Sequence, residues 1–138
     1  MALDGAKRAV DTIGSNAGHA LWAGIVEPEH AAAAAAALGS GAMVSGWGLR
    51  TFAAGQPGYN PIGYHTGTVW PHDTAIAAAG LRRYGFDDAA DSLSSGMLAA
   101  AQHFPAFRLP ELFCGFDRGS TGSPIAYPVA LRASGRVR

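Results

Sequence analysis

The sequence predicts an all-α fold in which αα-hairpins are joined by long loops rich in glycine and aromatic residues. Three observations carry this expectation. Apolar residues recur at helical spacing in the segments 16–26, 28–38, 71–84 and 88–103. These segments fall into two pairs, each pair joined by a very short turn. The 19 glycines and 8 prolines gather outside the helical segments, and no stretch keeps the period of two that a half-buried sheet requires.

Each element has its own signals. Residues 2–13 read as a short N-terminal helix. Ser15-Asn16 marks a helix start, and Leu21, Trp22, Ile25 and Val26 supply an apolar face for a helix over 16–26. Pro28 suits a first helical turn, with Glu27 and Glu29 at the positive end of the helix dipole. The run Ala31–Ala37 propagates this helix without side-chain entropy cost, and Gly39 reads as its left-handed terminator. Residues 39–70 form a long loop whose aromatic content argues against disorder. Pro71 opens the third helix, with the stripe Ile76, Ala77, Gly80, Leu81 and Tyr84. Arg82 and Arg83 lie in its last turn and Gly85 closes it. Asp87 is expected to cap the fourth helix, whose stripe is Ala90, Leu93, Met97, Ala100, Ala101 and Phe104. From Pro105 the chain is loop-like, with Pro110, Pro124 and Pro128.

Composition removes several functions. The 138 residues suit one domain. Apolar residues make up 49% and charged residues 14%, which is not the composition of a disordered tail. Ten basic and ten acidic residues cancel, so no positive excess is present to bind nucleic acid. The alanine run is too short and too weakly apolar for a membrane span. Asp4 and Asp11 interrupt any apolar core of a secretory signal, so the cytoplasm is the expected compartment. Cys114 is the only cysteine, which rules out an intrachain disulfide.

The densest chemistry lies in Tyr59–Asp73, which mixes aromatic faces, glycines and hydrogen-bonding side chains at a helix start. Sugars are recognised by such mixtures, because their C–H faces stack on aromatic rings and their hydroxyls need fixed partners. The same composition also fits a buried loop with Trp70 in the core and Asp73 stabilising the first helical turn. The spacing of His65, His72 and Asp73 is not that of a zinc site. Glu111, among Leu109, Leu112, Phe113 and Phe116, reads either as a desolvated carboxylate of raised pKa or as a surface glutamate paired with Arg108. Cys114 reads as a small buried apolar residue. Asp87, Asp88 and Asp91 read as a solvated helix start.

The segments SNAGHALWAGIV, SGWGLRT, YNPIGYHTGTVWPHDTAIAAAGLRRYGF and RLPELFCGF, in this order, resemble the C-terminal region of bacterial amylo-α-1,6-glucosidase-like proteins. Those proteins are the glycogen-debranching members of the six-hairpin glycosidases. The resemblance implies a partial (α/α)6 toroid over residues 1–130 and hydrolysis of α-glycosidic bonds in α-glucans or oligosaccharides. It implies inversion, with no metal and no organic cofactor. By resemblance, Glu111 is the general base or a residue that positions a hydroxyl. Trp70, His72 and Asp73 bind sugar near the scissile bond, and Trp47, Arg50, Tyr64 and His65 line the pocket further out. An inverting enzyme also needs an acid about 6.5–9.5 Å from the base. Asp73 is the in-chain candidate, and the family's acid is expected upstream.

Two departures shape the functional expectation. A full ring of twelve helices and their connections needs on the order of 200 residues. The chain is therefore expected to be a glycosidase fragment, inactive alone, with a separate chain as the source of missing hairpins. The alternative is a non-catalytic glycan-binding or interaction module. The tail Leu131–Arg138 also departs from the family. One coding of Ala130–Gly135, GCC CTG CGC GCC TCA GGC, yields Ala-Cys-Ala-Pro-Gln when a single C is removed, so residues 131–138 are read as a frameshifted tail.

Overall fold

The computed structural model describes residues 2–127; the tail 131–138, and with it the frameshift reading, lies outside the described residues. The first segment departs from expectation. In place of a helix over 2–13, β1 (Ala2–Leu3) and β2 (Ala9–Val10) pair antiparallel, with Ala2 opposite Val10 and Leu3 opposite Ala9. The cause is Asp4. Its Oδ1 accepts the backbone N–H groups of Ala6 at 2.8 Å and Arg8 at 2.9 Å, and its Oδ2 accepts from Arg8 Nε at 2.8 Å. A short carboxylate that captures nearby amides competes with the helix for them.

The helices follow their local signals closely. α1 (Asn16–Ala23) ends earlier than expected because Gly24 turns left-handed at φ 73°. Its N–H donates to Leu21 O at 3.0 Å, while Ile25 N–H reaches back to Ala20 O at 3.3 Å. Trp22 and Ile25 consequently point toward solvent and do not extend the apolar stripe. α2 (Pro28–Leu38) keeps its expected bounds and buries Ala31, Ala35 and Leu38. Gly39 follows it at φ −80°, so this helix ends without the left-handed turn. α3 (Pro71–Arg83) and α4 (Asp87–Ala101) are joined through Gly85, at φ 81°. Phe86 occupies the cap position of α4. Asp87 lies in the first turn instead, and with Asp91 it pairs with exposed Arg82.

Packing rearranges the expected pairs. The most extensive helix contact is α1 on α3, followed by α3 on α4, with α2 touching α1 much less. Glycines permit this. A Cβ on Gly18 would stand 2.5 Å from Ala77 Cβ, and one on Gly80 would stand 2.6 Å from Trp22 N. One core forms around Leu21, Leu38, Met43, Leu49, Leu81 and Leu93. A second gathers Trp47, Val69, Met97, Ala100 and Phe113 between α4 and the loops.

The loops carry no regular sheet but are tied together by single β-bridges: Arg50 to Val69, Val69 to Phe113 and Phe113 to Ala126. This row places residues 111–113 beside residues 69–70. Two short helical pieces complete the described chain, a 3-10 turn at Pro105–Phe107 and α5 (Arg118–Thr121). Among the described residues, no helix is long and apolar enough to cross a membrane.

Candidate active site

An open cleft of about 480 Å³ lies where the N-terminal ends of α1 and α3 meet the 51–70 loop. α1 contributes Asn16 and His19, the loop contributes Thr51, Phe52, His65 and Trp70, and the first turn of α3 contributes His72 and Asp73. Pro71 at the first helical position fixes φ for the helix start and so places His72 and Asp73 at its rim. The antiparallel bridge from Gly14 to Phe52 brings the approach to α1 against the loop.

The aromatic wall is rigidly held. Trp70 Nε1 donates to both Tyr64 O and Thr68 Oγ1, each at 3.0 Å. The His65 ring stacks on Trp70 at 5.5 Å between centroids, and the Tyr64 ring meets Trp70 edge-on at 4.8 Å. His72 also approaches Trp70 edge-on, at 5.6 Å. With its polar edge bound and one face stacked by His65, the half-buried indole lines the cleft with the rest of its ring.

The two carboxylates are mounted differently. Asp73 is buried, with Oδ1 3.2 Å from His19 Nε2. Glu111 is exposed, and its Oε1 accepts the Tyr64 hydroxyl at 3.2 Å. This corrects the expected apolar enclosure of Glu111. Leu112 and Phe113 turn into the core, and the Phe113–Val69 bridge ties this stretch to the loop beside it. Among the described residues no ion pair joins Glu111 to Arg108. Burial first, and then the negative charge of Glu111, push the Tyr64 phenol above its ordinary pKa, so it stays protonated as a donor.

The structure therefore gathers His65, Trp70, His72 and Asp73 in one cleft. Tyr64 and Glu111 are not among the residues lining it and connect to it through the Tyr64–Trp70 contact. Trp47 and Arg50 do not join them. Trp47 is 1% exposed, covered by the Arg118 guanidinium at 4.3 Å and by the edge of His103. Arg50 is fully buried and acts as a staple: Nε donates to Gly115 O at 2.7 Å, Nη1 to Gly41 O and Ala42 O, and Nη2 to Asp117 at 2.5 Å. Neither side chain can reach a sugar in this cleft, so both are corrected from pocket-lining to structural residues. Cys114 is buried, as a small apolar residue would be, and burial pushes its thiol pKa up. Among the described residues, no three His, Cys, Asp or Glu side chains stand together as a metal site.

His19 is among the cleft residues, with Asn16, Thr51 and Phe52, that were not site candidates in the sequence. Its signal lay inside SNAGHALWAGIV: Asn16 and His19 are three apart and share one helix face.

A family profile described as the mannosylglycerate hydrolase MGH1-like glycoside hydrolase domain matches residues 4–113. Three solved structures from Thermus thermophilus are similar in fold. A GH63 mannosylglycerate hydrolase in complex with Tris aligns with a TM-score of 0.71 and 21% identity, over 91% of this chain and 28% of that one. The mannosylglycerate hydrolase in complex with glucose gives a TM-score of 0.69 and 20% identity, over 94% and 32%. An uncharacterised conserved protein gives 0.69 and 21%, over 88% and 29%. No curated protein matches the chain. The chain thus spans about three-tenths of the length of these solved relatives, and its helices correspond to part of their six-hairpin (α/α)6 toroid. The expected six-hairpin relationship stands, with mannosylglycerate hydrolase in the family description where the sequence resemblance suggested a debranching glucosidase. The match over residues 4–113 shows that the chain belongs to the MGH1-like glycoside hydrolase domain family.

Proposed function

We propose that this chain supplies one wall of the active cleft of an inverting α-glycosidase and is inactive without the remaining hairpins. The observation that carries the reading is the presence, in one cleft, of a half-buried Trp70 with its N–H satisfied and a buried Asp73. A pyranose ring stacks on Trp70, and Asp73 accepts its hydroxyls. Glu111 is the general base: Tyr64 orients one carboxylate oxygen and leaves the other for a water molecule. The opposing acid comes from hairpins outside these 138 residues. Asp73, the in-chain candidate for that acid, suits hydroxyl binding better because it is tethered to His19.

The substrate is a short α-glycoside of the mannosylglycerate kind. The family description, a mannosylglycerate hydrolase-like glycoside hydrolase domain, favours such a substrate over the branch points of glycogen that an amylo-α-1,6-glucosidase would open.

The test uses the purified chain with mannosylglycerate, maltotriose and glucose. NMR titration is expected to move resonances around Trp70 and His72, with no hydrolysis. Co-expression with a second chain carrying the missing hairpins should restore hydrolysis, and Glu111→Gln should remove it again. Turnover by the chain alone, lost in Glu111→Gln, would refute the claim of incompleteness. Sugar binding without hydrolysis in the complemented pair would leave a glycan-binding module instead. No resonance shift with any of the sugars would remove the carbohydrate reading altogether.

A further inference from the structure

Asp73 is held by a residue to which the sugar-binding reading gives no role. His19 Nε2 lies 3.2 Å from Asp73 Oδ1, and both side chains line the cleft. The Asp73 side chain is 9% exposed and that of His19 is 44% exposed. Among the described residues no aligned hydrogen bond uses either Asp73 carboxylate oxygen, and the close approach of His19 Nε2 to Oδ1 is a contact of the two groups. Nor is either oxygen an orphaned buried atom, since Trp47 Nε1 alone has that status among the described residues. Both oxygens therefore keep some exposure where Asp73 lines the cleft, and the His19 ring approaches Oδ1.

The helix packing accounts for the tether. α1 approaches α3 most closely where Gly18 meets Ala77, leaving no room for a Cβ on Gly18. Asp73 lies four residues before Ala77, one turn nearer the helix N-terminus and on the same face. His19 follows Gly18 directly. The contact that seats Gly18 on Ala77 thus also delivers the His19 ring to the Asp73 carboxylate. Without a partner, a carboxylate turns freely over a broad, roughly two-fold torsional range. Fixing one oxygen fixes the direction of the other.

We infer that His19 is a positioning residue, which orients Asp73 Oδ2 into the cleft through its contact with Oδ1, and that the glycine-mediated approach of α1 to α3 sets this contact. The inference deepens the proposed sugar-binding role of Asp73 and rests on it for its functional consequence. The contact itself can be tested without any sugar.

The first measurement is ¹⁵N NMR of the His19 imidazole in the full chain. The neutral ring is expected to carry its proton on Nε2, and Asp73→Ala should remove that preference. A ring protonated on Nδ1, or one indifferent to Asp73→Ala, overturns the inference. The second measurement is glucose affinity. His19→Gln, which keeps a donor near the Nε2 position, should hold affinity within about threefold. His19→Leu should lose about tenfold. In the Asp73→Ala background, His19→Leu should cost nothing more. Additive losses in this double-mutant cycle also overturn the inference. A wild-type chain with the Nε2–H signature but no glucose binding keeps the contact and sinks the proposed function instead.

Discussion

Trp47 packs against α4 at 1% exposure, its ring covered by Arg118 and His103 and its indole N–H without a partner among the described residues. Trp70 stands half-buried in the cleft wall, and its N–H is shared between Tyr64 O and Thr68 Oγ1. Both follow glycine-rich sequence, yet their surroundings use them in opposite ways. Around Trp47 the polar groups hold loops together, with Arg50 joining the backbone at residues 41–42 to that at 115–117. Around Trp70 the loop's own groups satisfy the indole edge, and part of the ring lines the cleft beside Asp73. An aromatic residue is available to a ligand when its polar edge is satisfied from within and part of its ring is left uncovered.

That contrast can be broken most forcefully at Arg50. Arg50→Leu removes the buried guanidinium's bonds to the carbonyls of Gly41, Ala42 and Gly115 and to Asp117, and the expected loss of stability is about 3–5 kcal/mol. It is read from the denaturant midpoint at unchanged slope. A loss below about 1 kcal/mol, the scale of an exposed ion pair, would show that the staple does not hold the loops.

The two tryptophans themselves give the paired test. Trp47→Ala empties a core site and should cost about 3 kcal/mol. Trp70→Ala should cost about 1 kcal/mol or less and should abolish the glucose-dependent resonance shifts. Equal stability losses at both positions would erase the distinction between buried and cleft-facing indole. Thermal and chemical denaturation of the two variants side by side decides it.

Gly18→Ala sharpens the comparison from the helix side. The added methyl would meet Ala77, and overpacking of this kind costs about 1–3 kcal/mol. Because α1 carries His19, the same variant should weaken glucose binding while leaving the Trp47 region intact. Unchanged stability and affinity would mean that α1 does not need its close seat on α3.

The smallest effect concerns the β1–β2 ribbon. Backbone and side-chain hydrogen bonds from Arg8 hold the Asp4 carboxyl below its ordinary value of 3.8. A lowered folded pKa stabilises the ribbon above the ordinary value, and that contribution is lost as pH falls through the folded pKa. Amide exchange at Ala6 and Arg8 should therefore speed up in acid, and Asp4→Asn should flatten this dependence. Exchange that ignores pH after correction for its intrinsic rate would contradict the role of Asp4.

Sequence by itself determined α2, α3 and α4 closely, together with the glycosidase relationship. Proline at a first helical position, glycine at a turn and apolar spacing all act within a few residues. Pro28, Pro71 and Gly85 therefore mark their boundaries without help from distant chain. The aromatic segment leading to Asp73 was legible for the same reason, since its residue types are adjacent in the chain. Tertiary structure alone decided which of those residues face the cleft. Arg50 meets Gly115 and Asp117, Gly18 meets Ala77, His19 meets Asp73 and Tyr64 meets Glu111 across long stretches of intervening chain. Burial of a loop side chain depends on such distant partners, which no local pattern encodes. Trp47 and Arg50 consequently read as sugar-facing in sequence and fold as core, whereas His19 read as an unremarked helix residue and folds as the tether of the cleft carboxylate.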